Sequence, residues 1–189
     1  MAKPRSHKSL TVDDVRQLGK SLMAMGDEYP LQFRTERDFF PLVRAFLQGR
    51  VPEVTAEVGA SNKKIDFRIG GPNPALLELA VSPRMIEDRH HADAKFPGNN
   101  QAPHLYASTN KTELSKLSKV PQAKAKNRYL LLIDFRKGHD ITKLKAGYLK
   151  QLPQNGKRAA VRVVYHARTV TSDFQIGGRK KGRAKRGSA

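Results

Sequence analysis

The sequence predicts an α/β (α+β) chain: a mixed central sheet with an antiparallel three-strand meander, flanked by helices. Three observations predict it. Apolar residues recur at helical spacing in two stretches before residue 50. The period then drops to two over three short runs between residues 54 and 81. After residue 108, helical stretches alternate with strand-like ones.

The first helix starts at Thr11, whose side chain can cap it, with Asp14 three residues on. Val15, Leu18, Leu22 and Met25 follow at helical spacing, Met23 and Met25 read as packing residues, and Gly26 and Pro30 are expected to end the helix. A second helix starts at Thr35 with Asp38 three residues on. Phe39, Leu42, Val43, Phe46 and Leu47 form its stripe, and Gly49 closes it. Three strands come next. Val54, Ala56 and Val58 alternate with Thr55 and Glu57; Ile65, Phe67 and Ile69 with Lys64, Asp66 and Arg68; Leu77, Leu79 and Val81 with Glu78, Ala80 and Ser82. Gly70-Gly71-Pro72-Asn73-Pro74 reads as the hairpin turn between the last two. Residues 83–107 read as a long loop. A helix capped by Ser108 or Thr109 runs to about residue 120, with Leu114 and Leu117 inward and Pro121 after it. Tyr129 to Phe135 is a buried strand, Ile141 to Leu149 a helix, and Ala160 to His166 a last strand. The ends read as a basic arm over residues 1–9 and a disordered basic tail over 177–189.

Charge is divided unevenly. Residues 1–94 carry 14 Lys+Arg against 13 Asp+Glu, whereas residues 95–189 carry 22 against 4. A net charge of +19 favours nucleic acid as the partner, through phosphate contacts and counterion release. An anionic membrane surface fits less well, because no basic amphipathic helix with an aromatic face appears. No apolar run approaches the roughly 18 residues of a membrane span, and no secretory signal follows the basic N-terminus. The chain has no cysteine, which excludes disulfides and thiolate metal sites and fits a reducing, cytoplasmic setting. No phosphate loop ending in Gly-Lys-Ser/Thr is present. His90-His91 with Asp88 and Asp93 match no zinc spacing and read as a polar loop. Tyr106 and Tyr129 could stack on bases, but packing explains them as well.

Against this basic background, Asp66 and Glu78 stand on adjacent strands. A turn centred near Pro72-Asn73 brings residue 66 level with 78 and 79. Both carboxylates then leave the sheet on the face opposite the Ile65/Phe67/Ile69 and Leu77/Leu79/Val81 rows. Like charges so close repel, and a bound divalent cation relieves the repulsion. Hard oxygen ligands suit Mg²⁺ or Mn²⁺. Each residue has a plainer reading. Glu36 complements a helix dipole, Asp66 pairs with Lys64 or Arg68, and Glu78 lies on a solvated strand face.

The order of Glu36 on a helix, Asp66 in Ile65-Asp66-Phe67, and Glu78 in Leu77-Glu78-Leu79-Ala80-Val81 resembles the PD-(D/E)XK nuclease superfamily over roughly residues 35–135. The resemblance implies a restriction-endonuclease-like αβββαβ core and Mg²⁺-dependent hydrolysis of phosphodiester bonds, in DNA. It implies Asp66 and Glu78 as metal ligands, with the peptide carbonyl of Leu79 as a third. Glu36 would act beyond them or on a second ion. The chain then divides into an arm and first helix (1–30), a nuclease-like domain (31–176) and a tail (177–189).

One departure matters. The family's lysine falls at Ala80. Lys64, two residues before Asp66 on the same strand face, is the leading replacement, with Lys116, Lys119 and Lys124 as others. Arg68 shares the Lys64 face and suits phosphate clamping. Arg68, Lys116, Lys119 and Lys124 are the expected nucleic-acid contacts, together with Arg179, Lys180, Lys181, Arg183, Lys185 and Arg186 of the tail. The alternative is a non-catalytic nucleic-acid-binding protein on the same fold within a larger nucleoprotein assembly, as homodimer or with a partner protein. A ribosome-associated basic protein is a third reading, resting on the tail and pI alone.

Overall fold

The structure is a computed structural model that describes residues 9–33, 35–58, 64–82, 105–121, 123–136, 138–156 and 158–178. The segment containing His90 and His91, and the tail arginines and lysines from Arg179 to Arg186, lie outside them.

Helix α1 spans Val12–Glu28. Thr11 and Asp14 cap it reciprocally: the Thr11 N–H donates to Asp14 Oδ2 at 2.9 Å, and the Asp14 N–H donates to Thr11 Oγ1 at 3.2 Å. Gly26 lies inside this helix rather than at its end. A Cβ there would overlap the Phe135 ring, so the glycine serves close packing. The second helical stretch opens as a 3₁₀ turn over Glu36–Phe39, with the Thr35 N–H held by Asp38 Oδ2 at 2.6 Å, and continues as α2 over Phe40–Gln48.

Six strands follow in both sequence and space: β1 Val54–Val58, β2 Ile65–Ile69, β3 Ala75–Val81, β4 Asn127–Asp134, β5 Val161–Ala167 and β6 Thr171–Ile176. The expected meander is present, since β1, β2 and β3 pair antiparallel. The β3–β4 and β4–β5 pairs are parallel, and β5–β6 is an antiparallel hairpin. Helix α3 (Lys111–Lys119) lies in the β3–β4 crossover and α4 (Ile141–Gln151) in the β4–β5 crossover. Two successive crossovers of one hand, stepping the same way across a sheet, put both helices on one face. Leu114, Leu117, Leu144 and Tyr148 accordingly share a core cluster with Leu76, Leu130, Leu132 and Val163. The other face packs on α1 and α2, where Val15, Leu18, Leu22, Val43 and Leu47 meet Phe67, Leu77, Leu79, Leu131 and Val164.

Other features differ from expectation too: Gly177 and Gly178, read as the start of the tail, donate to the Leu152 and Arg158 carbonyls at 3.0 Å each. The sequence shows no sixth strand, because β6 is an outer strand with only Phe174 and Ile176 buried and a polar remainder. Ile65 packs with the α3/α4 cluster instead of the Phe67 row, because β2 parts from β3 at that end.

Candidate functional site

The β2–β3 ladder runs through Ile69↔Ala75, Arg68↔Leu76 and Phe67↔Leu77, and stops there. Asp66 and Glu78 are the next pair, level with each other as the turn position requires. Beyond that point β3 keeps its β4 partner, up to Val81↔Ile133, but loses β2. Backbone N–H groups alternate in direction along a strand. Ser82 N–H donates toward β4, to the Ile133 carbonyl, so those of Leu79 and Val81 point toward the departed β2. A buried N–H without a partner is costly. Asp66 Oδ2 accepts from Leu79 N at 2.8 Å, and Glu36, delivered by the 3₁₀ turn, lies near enough to the Val81 N–H for that group to favour its charged form. Asp66 thus stands in for the missing strand at Leu79, and the splay of the sheet leaves room for Glu36 and Asp66 beside Glu78. The Leu79 carbonyl leaves β3 on this same side.

Glu78 is the most enclosed of the three, with its side chain only 1% exposed. Its Oε1 lies 3.1 Å from Lys116 Nζ, an ion-pair distance, yet that oxygen receives no well-directed hydrogen bond. Lys116 projects from α3. Its ammonium also donates to the Lys64 carbonyl at 2.8 Å and lies 3.8 Å from Glu113 Oε1.

Burial, then the charge of Asp66, pushes Glu78 up to about 9, against the pull of Lys116. Burial and then Asp66 raise Glu36 to about 7, opposed by the Val81 N–H. Burial also raises Asp66; its bond from Leu79 N, the Glu78 proton and Lys116 oppose the rise. Burial and the neighbouring carboxylate thus favour the protonated form of Glu78 beside Asp66.

Where the resemblance would place a lysine, the chain carries an apolar side chain. Ala80 is 5% exposed and belongs to the apolar cluster with Leu114, Leu117 and Leu132. The helix covering that position supplies the ammonium instead. Lys64 has an exposed side chain just before β2, and its backbone carbonyl accepts from Lys116. Lys119 and Lys124 are exposed, while Arg68 is half-buried on β2 with its Nε lacking a hydrogen-bond partner. Sequence reasoning does not single out Glu113. Its signal is the i,i+3 spacing to Lys116 on α3, which carries meaning only once that helix is placed over β3. Tyr129 is a packing residue whose hydroxyl donates to the Leu10 carbonyl at 3.1 Å.

No three Asp, Glu or His side chains among the described residues form a ready-made metal cage. The donors still suit a hard divalent ion: two acidic side chains converge, one buried oxygen lacks a directed donor, and a backbone carbonyl faces the same space. Such an ion would have to release the shared proton, as ions binding to protonated ligands do. No helix among the described residues is long and apolar enough to cross a membrane. No known protein family matches the chain, and no curated protein or solved structure matches it either.

Proposed function

We propose that the protein is a Mg²⁺-dependent endonuclease acting on nucleic acid, taken to be DNA, on a PD-(D/E)XK-like arrangement. One observation carries this reading: Glu36, Asp66 and Glu78 converge at the splayed end of β2 and β3 with Lys116 beside them. Asp66 and Glu78, with the Leu79 carbonyl, would hold Mg²⁺ or Mn²⁺. When bound, the ion supplies Lewis-acid stabilisation of the phosphate and lowers the pKa of a water. Lys116 takes the role that the superfamily gives to a strand lysine. Its ammonium orients water and stabilises charge developing on the phosphate oxygens. Glu36, raised to about 7, is suited to exchange a proton near neutral pH. The basic C-terminal half holds the polyanion.

The test is divalent-dependent cleavage of duplex DNA, single strands and RNA by the full chain. Asp66→Asn and Glu78→Gln keep shape and remove charge, so each should abolish cleavage and preserve binding. Wild-type rates in either variant would sink the site. A second reading, non-catalytic nucleic-acid binding on the same fold, draws support from Ala80 and from the proton and ammonium already neutralising the cluster. It takes over if wild type cleaves none of these substrates with Mg²⁺ or Mn²⁺.

A further inference from the structure

The Lys116 side chain is 15% exposed, and its ammonium lies among three oxygens: it donates to the Lys64 carbonyl at 2.8 Å and stands 3.1 Å from Glu78 Oε1 and 3.8 Å from Glu113 Oε1. The three contacts are unequal. The Lys64 carbonyl is backbone at the start of β2 and is fixed. Glu113, one helical turn before Lys116, is partly exposed and stands beyond hydrogen-bond distance. Glu78 alone is also a residue proposed to hold the metal. Its Oε1 is buried and receives no directed hydrogen bond, so Lys116 engages it as a point charge.

A Mg²⁺-sized ion sits about 2.0–2.1 Å from a ligating oxygen. An ammonium 3.1 Å from that same oxygen would then lie within a few ångströms of a double positive charge. At such range, like charges repel strongly even at an effective dielectric of about 20. The two cations therefore compete for Glu78 Oε1.

We infer that Lys116 is the resident cation of the carboxylate cluster, which an entering divalent ion must displace from Glu78, and that Glu113 receives the displaced ammonium. The inference rests on the metal-dependent reading above. Anchored by the Lys64 carbonyl, Lys116 moves a short distance and stays beside the site, where its charge serves the reaction. Displacement lowers the apparent metal affinity, and it ensures that Lys116 is turned toward substrate only when the ion is present. Glu113 is thus a positioning residue, acting through Lys116.

The experiment needs no nucleic acid and no turnover. Mn²⁺ is titrated calorimetrically into the full chain as wild type, Lys116→Met, Glu113→Gln and Asp66→Asn, each checked for folding by its melting temperature without metal. Lys116→Met should bind Mn²⁺ about tenfold tighter or more, the effect of removing a competing charge contact. Glu113→Gln should bind several-fold weaker, because displacement loses its acceptor, and Asp66→Asn should not bind. Lys116→Gln replaces Lys116→Met if the latter does not fold. An affinity in the Lys116 variant equal to or below that of wild type overturns the inference while leaving the metal site standing. Unchanged affinity in Glu113→Gln overturns the role of Glu113. Absence of Mn²⁺ binding in both wild type and the Lys116 variant sinks the metal-dependent reading itself.

Discussion

Replacing Glu78 by Gln should stabilise the protein at alkaline pH and leave it nearly unchanged at pH 5. Glu78 rises from an ordinary 4.5 to about 9 in the fold. Between those values the native state keeps a proton that the unfolded chain has lost. Stability therefore falls as pH rises, by at most about 1.4 kcal/mol per pH unit for one proton. It is highest below the unfolded value of about 4.5 and is lost as pH climbs through the native one. Glu36, raised to about 7, adds to the loss over the lower part of that window. The groups facing Glu78 are Asp66, which raises it, and Lys116, which lowers it, with Glu113 beside Lys116. Three pH units would give about 4 kcal/mol at the limit, and relaxation around a buried acid reduces this to about 2–3.

Gln keeps the shape of the protonated acid and cannot ionise. At pH 8, Glu78→Gln should melt about 5–10 °C above wild type, taking about 2–4 °C per kcal/mol for a chain of this size. At pH 5 the two should agree within about 2 °C on the same scaling. Calorimetric melting curves at both pH values check it. A difference between variant and wild type that does not change with pH would refute the buried, proton-holding assignment of Glu78, whatever the function.

Three further outcomes are expected. Lys116→Met should lower cleavage by about two to three orders of magnitude, as removing one preorganised charge does. Lys64→Ala should be mild, since the carbonyl that Lys116 touches is kept; equal effects in a kinetic comparison would indicate generic phosphate binding. Removing residues 179–189 should flatten the salt dependence of DNA binding by about 0.9 in log–log slope for each phosphate that the tail neutralises. An unchanged slope in a binding titration at several salt concentrations would show that the tail does not touch DNA.

Strand order and the carboxylate pair are legible in the sequence because period and turn chemistry are local. The Gly70–Pro74 turn sets the register, and the register puts Asp66 level with Glu78. The ammonium is not legible from strand periodicity. That rule puts Lys64 on the face of Asp66, but Lys64 precedes the strand, where the chain has left the ladder and alternation no longer holds. Lys116 comes from a helix well beyond Glu78 in the chain, and only the packing of Leu114 and Leu117 onto the sheet brings it to the site. Glu36 illustrates the same limit. Its position at a helix start is readable, but its approach to Asp66 and the end of β3 follows from the splay of β2, which no local pattern encodes.

The relation between Ala80 and Lys116 offers the sharpest test of where the site's positive charge belongs. Residue 80 lies two places after Glu78 on β3, on the same face, under the helix that carries Lys116. A lysine there would send its ammonium toward Glu78, into the space that Lys116 already occupies. Ala80→Lys alone should therefore cost about 1–3 kcal/mol, from overpacking an apolar cluster and crowding two cations. With Lys116→Ala the crowding disappears, and the new ammonium can take over the Glu78 contact. The double variant should then be more stable than the sum of the single effects predicts by at least about 1 kcal/mol, within the range seen for residues that share a partner. It should also recover part of the cleavage that Lys116→Ala loses. Melting curves of wild type, the two single variants and the double variant measure the coupling directly. Additive effects would mean that the two side chains do not compete for one place beside Glu78.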